Sequence, residues 1–553
     1  MKLSARIRAA LGGAWRILRH LPAAGAGRRL LFLSLLATGF CPFAAAPARA
    51  AEAITLRIFY SSDMHGHIVP GENRIGLARI AAVKKAHPGA LLVDAGDFLQ
   101  GTPYANLSKG KDVVRLMRMA GYSAAAVGNH EFDHGRQALA ERAREAGADP
   151  QGMAFLSANI FEAGGRPLFP ADMAFDMQGV KLCLFGLTTP ESAVQTAREN
   201  VRGLRFADPV ERARATARRL KASGCELVLV LSHIGSFASQ PVRSRDIAAI
   251  EGIDAVIDGH SHVLLNERVT RGSPASARAV PWSEAGEAPE GYTGAVPLLS
   301  PQAHGRYLGE LTLVLDGDSH VLTGIGSRLI GPEEYGLIAP DPELSLALDA
   351  LTREQDKELG LIVGFLDRSF SGGKKELRLG ESDLGNLCAD AMRHAYGTDT
   401  AIINGGALRA PLPQGEVTLR HVLTALPFSD ALVELRLTGA ELKQVLEHGF
   451  GRYPDPDGRF AQISGLTVRV DSAAAPGARV LFVGLSDGSP LDPDREYSIA
   501  VNSFMADGGD AYPVMAGKRK LRMDMTTDQA LSEYIRQGLA GGRGPQAGRI
   551  FIQ

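Results

Sequence analysis

Residues 55–67 read TLRIFYSSDMHGH, an apolar run of strand length that leads directly into Asp63 and His65. The same arrangement recurs four times, with strand-like runs that end at Asp97 (DAGDF), at Asn129 and His130 (GNHEFD), at His233 (LSH), and at His260 and His262 (DGHSH). Residues at strand ends are rigidly held, so these side chains can converge on one cleft. Carboxylate and amide oxygens mixed with imidazoles suit Zn, Mn, Fe or Co better than Ca or Mg. Each motif alone is also typical of a turn or a structural histidine, but together the five predict a metal site.

The surrounding sequence alternates between strand-like and helix-like segments as far as about residue 330. Helix-like stretches such as residues 76–86 (GLARIAAVKKA) and 209–224 (PVERARATARRLKASG) separate the apolar runs. This alternation implies an α/β layer architecture with buried sheets. The polar stretch from about residue 266 to 293 contains Gly and Pro, and we expect it to be a surface insertion.

A second block of sequence begins near residue 361. Residues 341–359 (DPELSLALDALTREQDKEL) predict a charged amphipathic helix that connects the two blocks. The second block has its own predicted helix (LGNLCADAMRHAYG) and strands (AIING, ALVELRL, YSIAVNS). We therefore predict four segments: a signal peptide (1–50), an α/β domain (51–335), a linker helix (336–360) and an α+β C-terminal domain (361–553).

The charge distribution argues against a nucleic-acid-binding protein. The chain has 60 Lys and Arg against 61 Asp and Glu, but eight of the basic residues and none of the acidic ones lie in the first 50 residues. The remainder is thus acidic, whereas affinity for nucleic acid comes mainly from the neutralisation of phosphates by basic residues. We expect no nucleic acid polymer as a partner.

The N-terminus has the pattern of an export signal. Basic residues precede an apolar stretch from residue 30 to about 46, and Ala48, Arg49 and Ala50 fit cleavage before Ala51. We expect an exported, periplasmic or secreted protein without a stable membrane span after cleavage. The Sec and twin-arginine routes both stay open, and an uncleaved membrane anchor is the alternative. The oligomeric state is left open.

Cysteines are too few for a disulfide framework. Cys41 lies in the predicted signal, so the mature chain keeps Cys183, Cys225 and Cys388, which allow at most one bridge. Each lies in an apolar context, so we expect buried, inert thiols rather than catalytic ones.

The five metal-type motifs strongly resemble those of the calcineurin-like metallophosphoesterases, whose pattern runs D-x-H, G-D, G-N-H-[ED], H, G-H-x-H. SSDMHGH with GNHEFD is similar to the secreted 5′-nucleotidase branch, which includes periplasmic UDP-sugar hydrolases. The resemblance implies an α/β/β/α layered domain that holds two divalent ions, Zn or Mn above all. It assigns one ion to Asp63, His65, Asp97 and His262, and the other to Asp97, Asn129, His233 and His260. It also implies a catalytic dyad in which Asp133 orients His130.

The second block resembles the C-terminal substrate-binding domain of the 5′-nucleotidases in three motifs, NGGALR, LPFSD and NSFMADGGDAY. The resemblance implies that Phe428 and Phe504 sandwich a nucleobase and that Asp510 accepts hydrogen bonds from ribose hydroxyls. It further implies that Arg409 and Arg378 bind phosphate and that Asn404 contacts the base. Three positions depart from the family pattern: Ala407 and Ala511 replace Gly, and Asp430 replaces Asn.

These resemblances together imply a dinuclear-metal phosphohydrolase that acts on nucleoside 5′-monophosphates, and on UDP-sugars or dinucleotide pyrophosphates as further substrates. One alternative is a 2′,3′-cyclic-nucleotide phosphodiesterase with 3′-nucleotidase activity, in which Asn often replaces Asp133. Another is a sulfur-ester hydrolase of the same architecture, which should lack the two phenylalanines. A non-enzymatic nucleotide-binding or adhesion protein is the last alternative.

Overall fold

The computed structural model describes residues 52–148, 152–236, 240, 242–271, 279–281, 294–428, 430–540 and 547–553. The predicted signal peptide and most of the predicted insertion lie outside these ranges. The strands are β1 (Ile54–Ser61), β2 (Leu91–Asp94), β3 (Ala124–Ala126), β4 (Ala154–Leu156), β5 (Ile160–Glu162), β6 (Asp172–Met177), β7 (Val180–Thr188), β8 (Leu204–Phe206), β9 (Leu227–His233), β10 (Ala255–Asp258), β11 (Leu264–Val269), β12 (Ala279–Pro281), β13 (Val296–Pro301), β14 (Leu308–Leu315), β15 (Leu322–Ile330), β16 (Ile362–Leu366), β17 (Thr400–Asn404), β18 (Gly415–Thr418), β19 (Leu432–Thr438), β20 (Ala461–Ser464), β21 (Leu466–Val470), β22 (Val480–Leu485), β23 (Glu496–Asn502) and β24 (Ile550–Ile552).

The α-helices are α1 (Leu77–Ala86), α2 (Pro103–Leu107), α3 (Lys111–Ala120), α4 (Arg136–Ala146), α5 (Ser192–Gln195), α6 (Pro209–Ala222), α7 (Ser244–Ala248), α8 (Pro342–Leu359), α9 (Lys374–Leu379), α10 (Asp383–Tyr396), α11 (Leu419–Ala425), α12 (Gly439–Phe450), α13 (Ser503–Ala506) and α14 (Thr527–Arg536). Short 3₁₀ helices cover His130–Phe132, Pro332–Leu337, Gly405–Ala407 and Gly509–Ala511. Local sequence explains where several helices begin. Asp208 and Asp341 cap α6 and α8 by accepting the backbone N–H groups of Glu211 and Leu344, and Pro follows each cap.

Two sheets packed face to face form the N-terminal domain. The first has the order β15-β14-β1-β2-β3-β4 and the second β12-β11-β13-β10-β9-β7-β6. Apolar side chains from both sheets, such as Ile58, Val93, Leu184 and Leu229, are buried between them. Helices α1, α3 and α4 cover the outer face of the first sheet, and α6 and α7 cover that of the second. The predicted α/β/β/α layers are therefore confirmed.

Within each sheet, the strands that precede the metal-type residues are parallel. Strand β1 pairs parallel with β2, and β2 with β3, while β9 pairs parallel with β10. Parallel neighbours present their carboxyl ends at the same edge of a sheet, which explains how five separate motifs reach one place.

The C-terminal domain is a separate α+β unit. Its central sheet has the order β19-β23-β17-β20, with α10 and α14 on one face and α12 on the other. A three-stranded sheet (β22-β21-β24) and a two-stranded antiparallel sheet of β16 and β18 complete it. Helix α8 covers the predicted linker, and its Leu344, Leu348 and Leu351 pack into the N-terminal core.

Two sequence-based expectations need correction. Cys183 and Cys225 are not free thiols but form a disulfide, because Cys225 directly precedes β9, the parallel neighbour of β7; Cys388 is free and buried. The predicted insertion begins as regular structure, since its first residues belong to β11, which pairs with β13 and β12. Every helix in the described part of the chain is too short or too polar to cross a membrane.

Candidate active site

The predicted metal-binding residues converge at the carboxyl ends of β1, β2, β3, β9 and β10. Nε2 of His65 lies 3.1 Å from Nε2 of His262, which in turn lies 3.5 Å from Oδ1 of Asp63. On the other side, Nε2 of His233 lies 3.0 Å from Oδ2 of Asp97. Asp97 also reaches toward His65, with 3.9 Å between Oδ2 and Nε2, so its carboxylate lies between the two groups.

Potential ligand atoms form two compact sets around Asp97. One set joins Asp63, His65 and Asp97, and the other joins Asp97, His233 and His260, with all ligand atoms of a set within 4.8 Å of one another. Oδ2 of Asp63 and Oδ1 of Asn129 are buried, and neither has a hydrogen-bond partner among the described residues. A buried polar atom without a partner is costly unless something else satisfies it, so this donor set fits divalent metal ions.

Neighbouring backbone groups fix the tautomers of two imidazoles. Nδ1 of His65 lies 3.2 Å from the carbonyl oxygen of Gln100, and Nδ1 of His233 lies 2.7 Å from that of Ala95. Because a carbonyl only accepts hydrogen bonds, each Nδ1 must carry the proton. In both rings Nε2 is therefore the nitrogen that faces the cluster and is available to an ion, which at His233 would take the place of a proton.

The charge states follow from burial and from neighbouring charges. Burial lowers the pKa of His65 and of His262 well below the usual range, which keeps both imidazoles neutral. Burial tends to raise the pKa of the Asp97 carboxyl, but the charges of His233 and His130 outweigh it and hold that pKa well below its usual range. Neutral imidazoles and an ionised carboxylate are the forms that bind metals.

The loops that carry the cluster are tightly constrained. Asp63, His65, Asp97, His260 and His262 all have positive φ angles, between 45° and 73°. Non-glycine residues rarely adopt this conformation, and such strain concentrates at functional sites. A Cβ at Gly128 would lie only 2.2 Å from Oδ1 of Asp97, so the Gly of the GNHEFD motif permits the close approach of two loops.

A buried carboxylate ties these loops together. Oε2 of Glu131 accepts hydrogen bonds from the backbone N–H groups of Asp97 (2.8 Å) and Gly128 (2.6 Å). Its Oε1 accepts those of Phe98 (2.8 Å) and Leu99 (3.1 Å). Glu131 therefore fixes the loop after β2, which carries the predicted ligand Asp97, relative to the loop after β3, which carries the predicted ligand Asn129.

His130 and Asp133 form the predicted pair at the edge of the cluster. Nδ1 of His130 lies 2.6 Å from Oδ2 of Asp133, whose Oδ1 accepts a hydrogen bond from the Thr196 hydroxyl at 2.9 Å. Burial lowers the pKa of His130, but the charges of Asp133 and Asp97 outweigh that effect and raise it above the usual range. The backbone N–H of His130 donates to Oδ1 of Asp97 at 2.9 Å, so the imidazole is held next to the cluster.

One cavity of about 750 Å³ joins the cluster to the C-terminal domain. Residues predicted as metal ligands line one part of it, and those predicted to bind substrate line the rest, namely Arg378, Asn404, Arg409, Phe428, Phe504 and Asp510. Asp63, His65 and His233 are buried directly behind this surface. The cavity is large enough for a small organic ligand such as a nucleotide.

Within the cavity, two predicted residues make contacts that refine their roles. The Phe428 ring stacks on the His130 ring at 5.7 Å between centroids, and the Arg409 guanidinium lies 4.9 Å from the Phe428 centroid. The Asn404 amide donates to Oδ2 of Asp510 at 2.8 Å and accepts from the Asn502 amide at 3.0 Å. Asn404 is thus in a position to hold Asp510 in place.

Several polar residues of the cavity were not predicted from the sequence. Oε2 of Glu191 lies 3.4 Å from Nε2 of His260 and 3.1 Å from the amide nitrogen of Gln240. Lys374 is on α9, one turn before Arg378, and its charge interacts with that of Asp63. Glu191, Gln240 and Lys374 all lie outside the metal-type motifs. For Lys374, its i, i+4 spacing from Arg378 on one helix face was a usable signal.

Comparisons with known proteins agree with this architecture. The model of the calcineurin-like phosphoesterase family matches residues 56–264, and that of the 5′-nucleotidase C-terminal domain matches residues 362–517. A snake venom 5′-nucleotidase from Gloydius brevicauda is 28% identical over 549 residues, which cover 91% of this chain and 90% of that protein.

Solved structures give the same result. The crystal structure of a 5′-nucleotidase precursor from Thermus thermophilus matches with a TM-score of 0.73 and 28% identity, covering 90% of this chain and 99% of that chain. A sulfate thiohydrolase from Thermus thermophilus matches with a TM-score of 0.64 and 20% identity, covering 90% and 96%, and so shares the fold.

Both domain types thus occur in this chain, and their matched segments cover about two thirds of it. The residues at the five strand ends fit the divalent metals that this type of phosphoesterase domain implies. The chain belongs to the 5′-nucleotidase family of calcineurin-like metallophosphoesterases and is a hydrolase that acts on phosphate monoesters.

Proposed function

We propose that the protein is an exported, dinuclear-metal 5′-nucleotidase that releases phosphate from nucleoside 5′-monophosphates. The observation that carries this proposal is the single cavity, in which Asn129 and His262 face the same space as Phe428, Phe504 and Asp510. A phosphate at the cluster and a nucleoside among the aromatic and acidic residues would fit one ligand that spans both domains.

The proposed metal positions share one carboxylate. Asp63, His65, Asp97 and His262 would hold one ion, and Asp97, Asn129, His233 and His260 the other, with Zn or Mn as the candidates. Bound divalent ions supply positive charge that neutralises the phosphoryl oxygens and favours attack by water. The 3.0 Å and 3.9 Å distances from Oδ2 of Asp97 to His233 and His65 support Asp97 as the shared ligand.

The protein's own residues would position the substrate and move a proton. Arg409 and Arg378, which line the cavity on the side of the C-terminal domain, would pair with phosphate oxygens. Asp510, held by Asn404, would accept hydrogen bonds from the ribose hydroxyls, and the base would stack on Phe504. His130, held by Asp133 and with its raised pKa, would donate a proton to the leaving 5′ oxygen.

The contact between Phe428 and His130 bears on how the base binds. In this structure one face of the Phe428 ring is stacked on His130. The base would stack on Phe428 only after that ring has moved away from His130. A shift of the C-terminal domain would bring about that movement. The hydrogen bond that the Asn106 amide donates to the Pro427 carbonyl at 2.6 Å is one contact that such a shift would break.

Three further features support export. The N-terminal residues have the pattern of a cleavable signal. The disulfide between Cys183 and Cys225 is of a kind that persists in oxidising compartments. A related protein of similar length is a venom enzyme, and venoms are secreted.

A substrate comparison tests the proposed activity. The purified mature chain would be stripped with chelator, reloaded with Mn or Zn, and assayed on AMP, 3′-AMP, 2′,3′-cyclic AMP and UDP-glucose, with chromatography to detect UMP. We expect metal-dependent release from AMP ahead of 3′-AMP. Preference for the cyclic or 3′ substrates would instead favour the phosphodiesterase alternative, and inactivity on all four would favour a sulfur-ester hydrolase or a binding protein.

A further inference from the structure

A third imidazole lies beside two of the proposed metal ligands, outside the five motifs. His304 is in the segment between β13 and β14, and its ring centroid is 5.6 Å from that of His65 and 5.5 Å from that of His262. One ring nitrogen from each of these three histidines lies within 4.8 Å of the other two. This spacing is close enough for all three to share one ion.

The backbone holds His304 in this position. Its N–H donates to the carbonyl oxygen of Asp63 at 2.8 Å, so His304 is tied to a residue that itself belongs to the cluster. The carbonyl of the next residue, Gly305, accepts the N–H of Ile75 at 2.9 Å. These bonds attach the segment to the loop after β1 and to the turn before α1.

His304 shares the backbone strain of the predicted ligands. Its φ angle is 63°, within the range of the five strained ligands described above. Such a conformation persists only where the surroundings enforce it, and it is concentrated at functional sites. His304 and His262 thus share this rare conformation on the same side of the cluster.

The imidazole of His304 is not committed to another role among the described residues. It is exposed, and none of them forms a hydrogen bond with its ring nitrogens. Its other aromatic neighbour, His67, lies 4.6 Å away between centroids, but Nδ1 of His67 is bonded to Arg74 at 2.6 Å. His304 can therefore offer a lone pair to an ion, whereas His67 is already engaged.

We propose that His304 is an additional metal ligand, which joins His65 and His262 at the metal position on the Asp63 side. This inference rests on the proposed dinuclear centre. A further imidazole adds a nitrogen donor without adding charge, so it favours Zn or Co over Mg at this position. It would also hold that ion more tightly than the ion on the His233 side.

The test replaces His304 with Gly in the full mature chain. Gly adopts positive φ without strain and offers no side-chain donor to an ion, so folding should be retained while the ligand is lost. His304→Asp keeps a ligand of similar reach, and His67→Ala is the matched control because it removes a neighbouring imidazole outside the proposed set. His304→Ala is the second variant should the Gly variant fail to fold.

Two readouts other than activity report on the ligand. Competition with a calibrated chelator gives the Kd of each Zn ion, and the visible absorption spectrum of the Co-loaded protein reports the coordination of that ion. We expect His304→Gly to raise one of the two Kd values at least about tenfold and to change the Co spectrum. His304→Asp should recover most of the affinity, and His67→Ala should match wild type.

The outcomes separate this inference from the proposed function. If wild type binds two ions and His304→Gly binds both with unchanged Kd and an unchanged Co spectrum, His304 is not a ligand and only this inference fails. If wild type binds no ions, the proposed dinuclear centre fails and this inference fails with it.

Discussion

Replacing Glu131 with Gln should destabilise the protein although the two side chains have nearly the same shape. Each carboxylate oxygen accepts two backbone N–H groups, at 2.8 and 2.6 Å for Oε2 and at 2.8 and 3.1 Å for Oε1. Gln places an NH₂ group where one of these oxygens was. Two buried backbone N–H groups then lose their acceptor and face another donor instead. An unsatisfied buried donor costs about 1–3 kcal/mol, so we expect a loss of roughly 2–6 kcal/mol in the free energy of unfolding.

Urea unfolding followed by circular dichroism, with chelator present, measures this loss without any contribution from bound metal. Glu141→Gln is the control, since Glu141 is on α4, more exposed, and should change stability by less than about 0.5 kcal/mol. The Glu131 variant should also bind metal more weakly, because Glu131 positions the loops of Asp97 and Asn129. Stability and metal affinity both equal to wild type would refute the argument that this carboxylate joins the two loops.

Four further substitutions test the site. Asp97→Asn should abolish turnover and lower metal content by elemental analysis, and wild-type rates would rule out the shared-ligand role. His130→Ala should reduce kcat by about 10²–10⁴-fold while metal content holds; loss of metal would instead identify His130 as a ligand. Phe504→Ala should raise KM for nucleotides by roughly ten- to a hundredfold, because stacking of one base contributes about 1–3 kcal/mol. It should leave KM for p-nitrophenyl phosphate, which has no base, unchanged. Equal effects on both substrates would contradict the base site. Burial, followed by the charge of Asp133, raises the pKa of Asp430 to about 7 from 3.8. The folded state thus holds a proton that the unfolded state lacks between about pH 4 and 7, and stability falls as pH rises through that window. Asp430→Asn should remove this part of the slope, at most about 4 kcal/mol by urea unfolding, and identical pH profiles would show that Asp430 does not contribute.

Sequence periodicity was sufficient for an α/β layer architecture and for the convergence of the five motifs, whereas the α/β/β/α order of the layers was predicted from the family resemblance. The apolar runs before Asp63, Asp97 and His233 are strands, and parallel pairing aligns the ends of β1 and β2 in the first sheet and those of β9 and β10 in the second. The prediction succeeded because parallel neighbours present their carboxyl ends at the same edge of a sheet. The two edges meet at the cluster, where His233 of the second sheet lies 3.0 Å from Asp97, which follows a strand of the first. The helix over residues 341–359 is also confirmed, as α8.

Contacts that depend on tertiary structure could not be predicted in this way. The bond between Cys183 and Cys225 requires knowing that β7 and β9 are neighbours, although β8 lies between them in the chain. His304 and Glu191 reach the cluster from connecting segments without a recognisable motif. Asn404 and Asp510 are 106 positions apart, and nothing in either motif indicates that the amide holds the carboxylate.

The central claim is that metals held at the five strand ends are required for hydrolysis of a nucleoside 5′-monophosphate. The most direct measurement is phosphate release from AMP by chelator-stripped protein titrated with Mn in the stoichiometric range. We predict no release from the stripped chain and a rate that rises until about two equivalents of Mn per chain are bound. Release that is equally fast in excess chelator, or none at saturating Mn, would contradict the account.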